Sequence, residues 1–315
     1  MATTQQHVIL GTGPLGQSIM RSLLKRGHSV RMISRSGKAN VPQGVEIMAA
    51  DLTDAKTVAQ VTKSAVAVYQ CAQPAYTRWP EEFPGFQRSI VEGVSTSGAK
   101  LVVAENLYMY GDTNGTPLTE NTPYNAHTRK GATRAQMSLD LIEAHKAGKI
   151  RVTMGRGSDF YGPQVKDSSV GERTFGPLLQ GKSAGAYGNV DLPHTVTYID
   201  DFGEALVILG ENDAALGQAW HVPNAPTLTQ RQFLTMAFEI VKHTPKLTVM
   251  GRMMMRIGGL FIPEAREMVE MLYEFEKPFI VDDSKFKKAF GDHSTSIREG
   301  LQQTIAWYQG ELQHA

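Results

Sequence analysis

The sequence predicts an α/β fold built on a doubly wound parallel sheet, and three observations predict it. A short apolar strand, His7-Val8-Ile9-Leu10, runs straight into the glycine-spaced segment Gly11-Thr12-Gly13-Pro14-Leu15-Gly16. Leu15, Ile19, Leu23 and Leu24 then recur at helical spacing as far as Gly27. A second apolar strand follows, His28-Ser29-Val30-Arg31-Met32-Ile33, which completes most of a βαβ unit.

The glycine spacing has a physical reason in that frame. Gly11 permits the tight turn, Gly13 lets backbone amides approach a pyrophosphate, and Gly16 lets the helix pack close to the strand. The helix N-terminus, with Thr12, Pro14 and Leu15 in the turn, is then aimed at an anion. A glycine triplet alone is a weak signal; between a strand and a helix it predicts a Rossmann site for a dinucleotide. The plain structural reading is a bare turn.

The end of the second strand chooses the cofactor, because NAD sites usually carry an acid there for the ribose 2′-hydroxyl. Here the residues are Ser34-Arg35-Ser36, with Arg31 and Lys38 nearby. A hydroxyl and a guanidinium suit a 2′-phosphate, so NADP(H) is expected over NAD(H). An exposed basic loop is the alternative. Val45-Glu46-Ile47-Met48-Ala49-Ala50 reads as a third strand leading to Asp51-Leu52, where Asp51 is a candidate near the adenine and Asp54 a helix cap. The next strand, residues 65–72, ends in Cys71-Ala72-Gln73-Pro74, and ligands of open α/β sheets lie beyond such strand ends.

Composition narrows the partners. The 315 residues include 32 basic and 31 acidic side chains, so no large net field favours nucleic acid or an anionic membrane, and a small-molecule substrate fits better. Cys71 is the single cysteine, which excludes an internal disulfide framework and points to a reducing compartment, the cytoplasm by default. Met1-Ala2-Thr3-Thr4-Gln5-Gln6 has no basic export region, and no apolar run reaches the length of about 18 residues needed to cross a bilayer. Neither a metal-ligand spacing among the nine histidines nor a G-x-S-x-G elbow is present, so no metal site is expected.

From Gly11 to Tyr308 the chain resembles the extended short-chain dehydrogenases/reductases of the NAD-dependent epimerase/dehydratase type. The ordered matches are the glycine turn, Asp51-Leu52, residues 71–74, Tyr110-Gly111 after the strand Leu101-Val102-Val103-Ala104, residues 155–163, and Thr197-Tyr198-Ile199-Asp200-Asp201, read as a strand. The resemblance implies a Rossmann domain over residues 1–163 and 197–225, with a smaller, discontinuous C-terminal substrate domain over 164–196 and 226–315. It also implies that Arg156 leads into the substrate domain, that Tyr161 borders the nicotinamide ribose, and that helices around 86–96 and 134–145 form a homodimer.

One departure limits what the resemblance implies. Typical members carry Tyr-x-x-x-Lys on a helix, where the lysine lowers the tyrosine pKa. Here Lys130 falls at the tyrosine position, Arg134 at the lysine position, and Asn106 where a Ser or Thr is expected. Four residues apart, Lys130 and Arg134 share a helix face. Lys130 is a candidate general acid or cofactor ligand; Arg134 can bind an oxyanion but cannot act as a base. Both also read as ordinary surface charges. Tyr108 and His127 are the favoured other proton donors, ahead of Tyr110, Tyr124 and His194, and Glu105 is a candidate to orient Lys130 or His127.

Toward the C-terminus, residues 250–262 form a Met-rich apolar cluster that reads as core, subunit contact or pocket wall. Residues 264–275 have one helix's periodicity, stopped by Pro278. The leading expectation is an NADP(H)-dependent oxidoreductase reducing a carbonyl or activated alkene of a small, partly apolar molecule. Its alternatives are an NAD-dependent sugar-nucleotide epimerase/dehydratase and a non-catalytic NADP(H)-binding sensor.

Overall fold

The computed structural model describes residues 5–314, so Met1 to Thr4, which open the segment read above for an export signal, lie outside the described residues. The chain opens β1 (Gln6–Leu10), α1 (Pro14–Lys25), β2 (Ser29–Ser34) and β3 (Glu46–Ala49). Asp54 caps α2 (Ala55–Val61), accepting from the amides of Lys56 and Thr57 at 3.3 and 3.0 Å. After β4 (Ala67–Gln70), α3 (Trp79–Ser95) carries Glu81 and Glu82 in its first turn, where the helix dipole favours acids. β5 (Lys100–Glu105), α4 (Arg129–Lys146) and β6 (Arg151–Arg156) follow.

The next elements are β7 (Phe160–Tyr161), α5 (Glu172–Leu179), β8 (Ala184–Tyr187), β9 (Pro193–His194), β10 (Thr197–Tyr198), α6 (Ile199–Glu211) and β11 (Ala219–His221). Only Thr197-Tyr198 of the expected strand pairs as one. Ile199, Asp200 and Asp201 instead open α6, a position that suits two carboxylates beside unpaired helix amides. The chain then runs through β12 (Leu228–Thr229), α7 (Gln230–Ile240), β13 (Leu247–Met250), α8 (Arg252–Gly258), α9 (Pro263–Met268), α10 (Tyr273–Glu276), α11 (Ser284–Phe290) and α12 (Ile297–His314). The single helix read over residues 264–275 is therefore broken, with a 3-10 turn, Val269–Met271, between α9 and α10.

Seven strands form one sheet in the order β11-β6-β5-β4-β1-β2-β3, and the pairings from β6 through β3 are parallel. The sheet is thus the doubly wound Rossmann type. Winding reverses at β1, which lies between β2 and β4 and whose Val8, Ile9 and Leu10 are fully buried. Such near-continuous apolar runs mark parallel strands covered on both faces.

The chain divides into two compact units. The first comprises the residues up to Met109, Arg129–Arg156 and Phe202–Trp220; the second comprises Tyr110–Thr128, Gly157–Asp201 and the residues from His221 onward. Both are discontinuous. The division differs from the expected boundaries chiefly in assigning Tyr110–Thr128 to the second unit. In that unit, Phe175 and Leu178 of α5, Phe233, Leu234 and Phe238 of α7, and Leu301 and Ile305 of α12 build one apolar core.

Candidate active site

The carboxyl ends of β1, β2, β3 and β4 carry the candidate cofactor residues of the glycine turn, Ser34 to Ser36, Asp51-Leu52 and Cys71 to Pro74. Leu10 accepts hydrogen bonds from the amides of both Cys71 and Ala72, at 2.9 and 2.7 Å, while Gly11 donates to the carbonyl of Ile33 at 2.9 Å. Gly11 has φ of +121°, and a Cβ there would lie 2.9 Å from the Ala72 nitrogen, so only glycine fits this crossing. At Gly16 a Cβ would overlap the Gly11 carbonyl oxygen. Gly13 is different: it is exposed, and a Cβ would meet nothing within 4 Å.

These observations fit a dinucleotide. Gly13 is the N-cap of α1 with no side-chain cap and no acid in the first turn, which leaves the helix N-terminus to an outside anion. At the end of β2, Ser34 Oγ is buried without a partner, and Arg35 is exposed with no ion pair among the described residues. Ser36 accepts from the Lys38 amide at 3.3 Å. Arg31 does not add its charge to this loop, because it donates to Glu46 at 2.7 Å and to the Val61 carbonyl at 2.9 Å. Exposed Asp51 is engaged by Thr53, whose amide and hydroxyl donate at 2.9 and 2.7 Å and hold the carboxyl below its ordinary pKa. Leu52 is core, Gln73 is exposed, and Pro74 accepts from the Trp79 indole at 3.2 Å.

The two cations on α4 are buried, contrary to the surface-charge reading. Lys130 is 0% exposed and Arg134 2%. Aromatic rings after β4 lie against them: Tyr76 meets Trp79 edge to face with centroids 5.0 Å apart, and Trp79 meets Phe83 at a tilt with centroids 5.2 Å apart. Lys130 Nζ lies 4.6 Å from the Tyr76 ring centroid, and the Arg134 guanidinium lies 4.9 Å from that of Phe83. Ring quadrupoles offset part of the cost of removing these cations from water.

Tyr76 was not singled out in the sequence, yet its hydroxyl lies 3.4 Å from that of Tyr108. Tyr108 is half-buried on the short helical turn Tyr108–Tyr110, and its amide donates to Asn106 Oδ1 at 3.3 Å. Asn106 thus shapes the turn after β5. The one sequence signal for the cluster is aromatic spacing: Tyr76, Trp79, Phe83 and Phe86 recur at three- and four-residue intervals.

Glu105 is neither a solvated strand-end carboxylate nor, by its contacts, the orienter of Lys130. It is fully buried at the end of β5, where it accepts from Arg156 Nε at 2.9 Å and Ser138 Oγ at 3.3 Å, with Arg134 Nη2 at 3.5 Å. Arg156 also donates to Ser138 Oγ at 2.7 Å. One carboxylate between two guanidiniums locks α4 to β5 and β6, and through α4 it fixes Lys130.

Other candidates lie in the second unit. His127 is exposed, its ring 4.9 Å from Tyr273. Tyr161 is 1% exposed, packed on Tyr198 and Phe233 at 5.3 and 5.1 Å, a core setting that pushes its phenol pKa up. Tyr110 is bonded to His221 Nε2 at 2.7 Å, and His194 to Asp159 Oδ2 at 2.5 Å.

Comparisons with known proteins bear on the fold and the family. The chain is 23% identical over 286 residues, 87% of its length and 81% of the relative's, to dTDP-glucose 4,6-dehydratase of Mycobacterium tuberculosis. Among solved structures it is similar to an epimerase from Methanothermobacter thermautotrophicus, with a TM-score of 0.82, 15% identity and coverage of 99% of this chain and 94% of that one. It is likewise similar to dTDP-glucose 4,6-dehydratase from Streptomyces venezuelae with NAD bound, with a TM-score of 0.79, 16% identity and 98% of both chains covered. The family model described as NAD dependent epimerase/dehydratase matches residues 8–222, and the chain belongs to that family.

Proposed function

We propose that the protein is a nicotinamide-dinucleotide-dependent oxidoreductase in which the phenols of Tyr76 and Tyr108, steadied by Lys130, handle the proton at a substrate alcohol or carbonyl oxygen. The observation that carries this reading is the Lys130–Tyr76–Tyr108 group, a buried ammonium 4.6 Å from a ring whose hydroxyl lies 3.4 Å from a second phenol. The glycine turn, Ser34, Arg35 and Ser36 would hold the dinucleotide, whose nicotinamide supplies or accepts hydride. A fixed cation in a water-poor setting stabilises negative charge developing on nearby oxygen. A phenol then holds or releases the proton, and its neighbour accepts or donates a hydrogen bond in turn. The network around Glu105 keeps α4, and so Lys130, in position.

For the substrate, the dehydratase and epimerase relatives support a sugar nucleotide, oxidised and then reduced while the cofactor stays bound. That support is stronger than any for a freestanding reductase of small carbonyls. NADP(H)-linked reduction remains a second reading because Arg35 and Ser36 stand where an NAD site usually has an acid. The experiment is to identify nucleotide retained by the purified protein, then assay it with sugar nucleotides and with a carbonyl panel plus NADPH. Retained NAD with turnover of a sugar nucleotide supports the first substrate class, and multiple-turnover NADPH oxidation supports the second. A cofactor-saturated protein inert to both panels overturns the enzymatic reading.

A further inference from the structure

From residue 71 to residue 79 a single side chain is buried, that of Trp79; Gln73, Ala75 and Arg78 are exposed and the others are half-buried. The 3-10 turn within this segment, Tyr76–Arg78, has no side-chain cap. Trp79 opens α3, where Pro80 is tolerated because the first helical amides have no partner in the helix. The Trp79 indole N–H donates back to the carbonyl of Pro74 at 3.2 Å, which closes the loop that carries Tyr76.

The same indole is central to the aromatic group. It packs with Phe83 and Met137, and Tyr76 and Tyr108 lie against that cluster. The Tyr76 centroid is 5.0 Å from that of the indole, and the Tyr108 centroid is 6.1 Å away at an interplanar angle of 43°. One rigid side chain therefore adjoins both phenols, whose hydroxyls lie 3.4 Å apart. A buried tryptophan needs some acceptor for its N–H. Here the acceptor belongs to Pro74, the last of the candidate cofactor residues beyond β4.

We propose that Trp79 is a positioning residue, whose indole ties residues 71–74 to the Tyr76–Tyr108 pair and so holds the dinucleotide side and the phenol side in one geometry. The inference rests on the function proposed above, in which residues 71–74 meet the dinucleotide and the two phenols handle the proton. Trp79 acts through Pro74 and Tyr76.

Two variants of the full chain separate this role from core packing. Trp79→Phe keeps a ring in the cluster and removes the bond to Pro74, whereas Phe83→Leu loosens the same cluster and leaves that bond in place. Both should lower Tm and leave a folded protein, as large-to-small core changes do. In calorimetry with NADH and NADPH, Trp79→Phe should weaken the dinucleotide that wild type binds by about fivefold, within the range of one hydrogen bond, and Phe83→Leu by less than about twofold. The isosteric analogue β-(3-benzothienyl)alanine at position 79, with sulfur in place of the N–H, should weaken binding likewise even where Trp79→Phe does not fold. With the sugar-nucleotide and carbonyl panels, Trp79→Phe should lower kcat about tenfold in the wild-type background and less than about twofold in the Tyr76→Phe background, because a residue that acts through another is not additive with it. Dinucleotide affinity unchanged by Trp79→Phe or by the analogue, an equal loss in Phe83→Leu, or kcat losses that multiply in the double variant overturn the proposal, as does wild type that binds neither dinucleotide. If wild type binds a dinucleotide but turns over nothing, the enzymatic reading fails and the affinity comparison alone decides the role of Trp79.

Discussion

Lys130, on α4, holds its ammonium nitrogen 4.6 Å from the centroid of the Tyr76 ring in the turn after β4, 54 positions earlier in the chain. The Tyr76 ring offsets part of the cost of burying a lysine with no exposed area. If that lysine serves chemistry, its removal separates stability from turnover. Lys130→Met should lower Tm by an amount that still leaves a folded protein, since removing one member of a buried charged group is destabilising. The kcat should fall by about 100-fold or more, with cofactor Kd shifting by no more than about threefold. Tyr108→Phe should show the same split. Loss of Tm with full specific activity in the folded fraction would reduce Lys130 to a packing role.

The cofactor turn was legible in the sequence because its determinants are local: a strand, three glycines at fixed spacing and a helix lie within about twenty residues. The grouping of Lys130 with Tyr76 and Tyr108 was not. Lys130 and Arg134 could be placed on one helix face by spacing, but their burial depends on Tyr76 and Phe83, roughly fifty residues earlier, and on Glu105 from another strand. Periodicity cannot report such contacts. The resemblance reads the segment ending at Asp201 as a strand, whereas Asp200 and Asp201 sit in the first turn of α6, where paired acids suit the helix dipole. The helix expected over residues 264–275 breaks because its apolar positions serve a local core through Ala265, Leu272 and Phe275, which the 3-10 turn rotates into place.

Gly13 isolates cofactor binding from folding. Its φ of −72° is open to any residue, and a Cβ meets no protein atom within 4 Å. Gly13→Ala should therefore keep the wild-type Tm while weakening dinucleotide binding about tenfold or more, because the methyl group occupies space that the pyrophosphate needs. Calorimetry and thermal unfolding on the same samples check this. Unchanged affinity would mean that no diphosphate approaches this turn.

Arg35 offers a test of the coenzyme preference. It is exposed and unpaired among the described residues, so its removal costs the fold little. A charge-assisted contact to a 2′-phosphate contributes about 1.5–3 kcal/mol, so Arg35→Ser should raise the Kd of NADPH about 10- to 100-fold. The Kd of NADH should stay within about twofold. Equal weakening of both, or of neither, would remove the physical basis for an NADP(H) preference.

Glu105 carries structural weight. Its carboxylate is fully buried with Arg156 at 2.9 Å and Arg134 at 3.5 Å. Glu105→Gln keeps the shape but removes the carboxylate charge that both buried guanidiniums face, and breaking such a group typically costs about 3–5 kcal/mol. Urea unfolding should show a midpoint lowered accordingly. A loss below about 1 kcal/mol would mean that water reaches the site and replaces the carboxylate charge.

His7 makes stability depend on pH in a defined direction. Its ring is buried in β1, bonded to the Tyr69 hydroxyl at 3.1 Å and 4.4 Å from the His28 ring. Burial, with His28 and Lys100 nearby, lowers its pKa from 6.5 to about 4. The unfolded chain therefore binds a proton on His7 at a pH where the folded chain does not. The stability this gives is complete above pH 6.5 and is lost as pH falls from 6.5 toward about 4. Replacing His7 by Gln removes the titrating group, so the decline in unfolding midpoint across that window should be shallower in the variant than in wild type. Parallel curves would show that His7 takes up its proton at the same pH in the folded and unfolded chain, which is incompatible with a dry ring beside Tyr69.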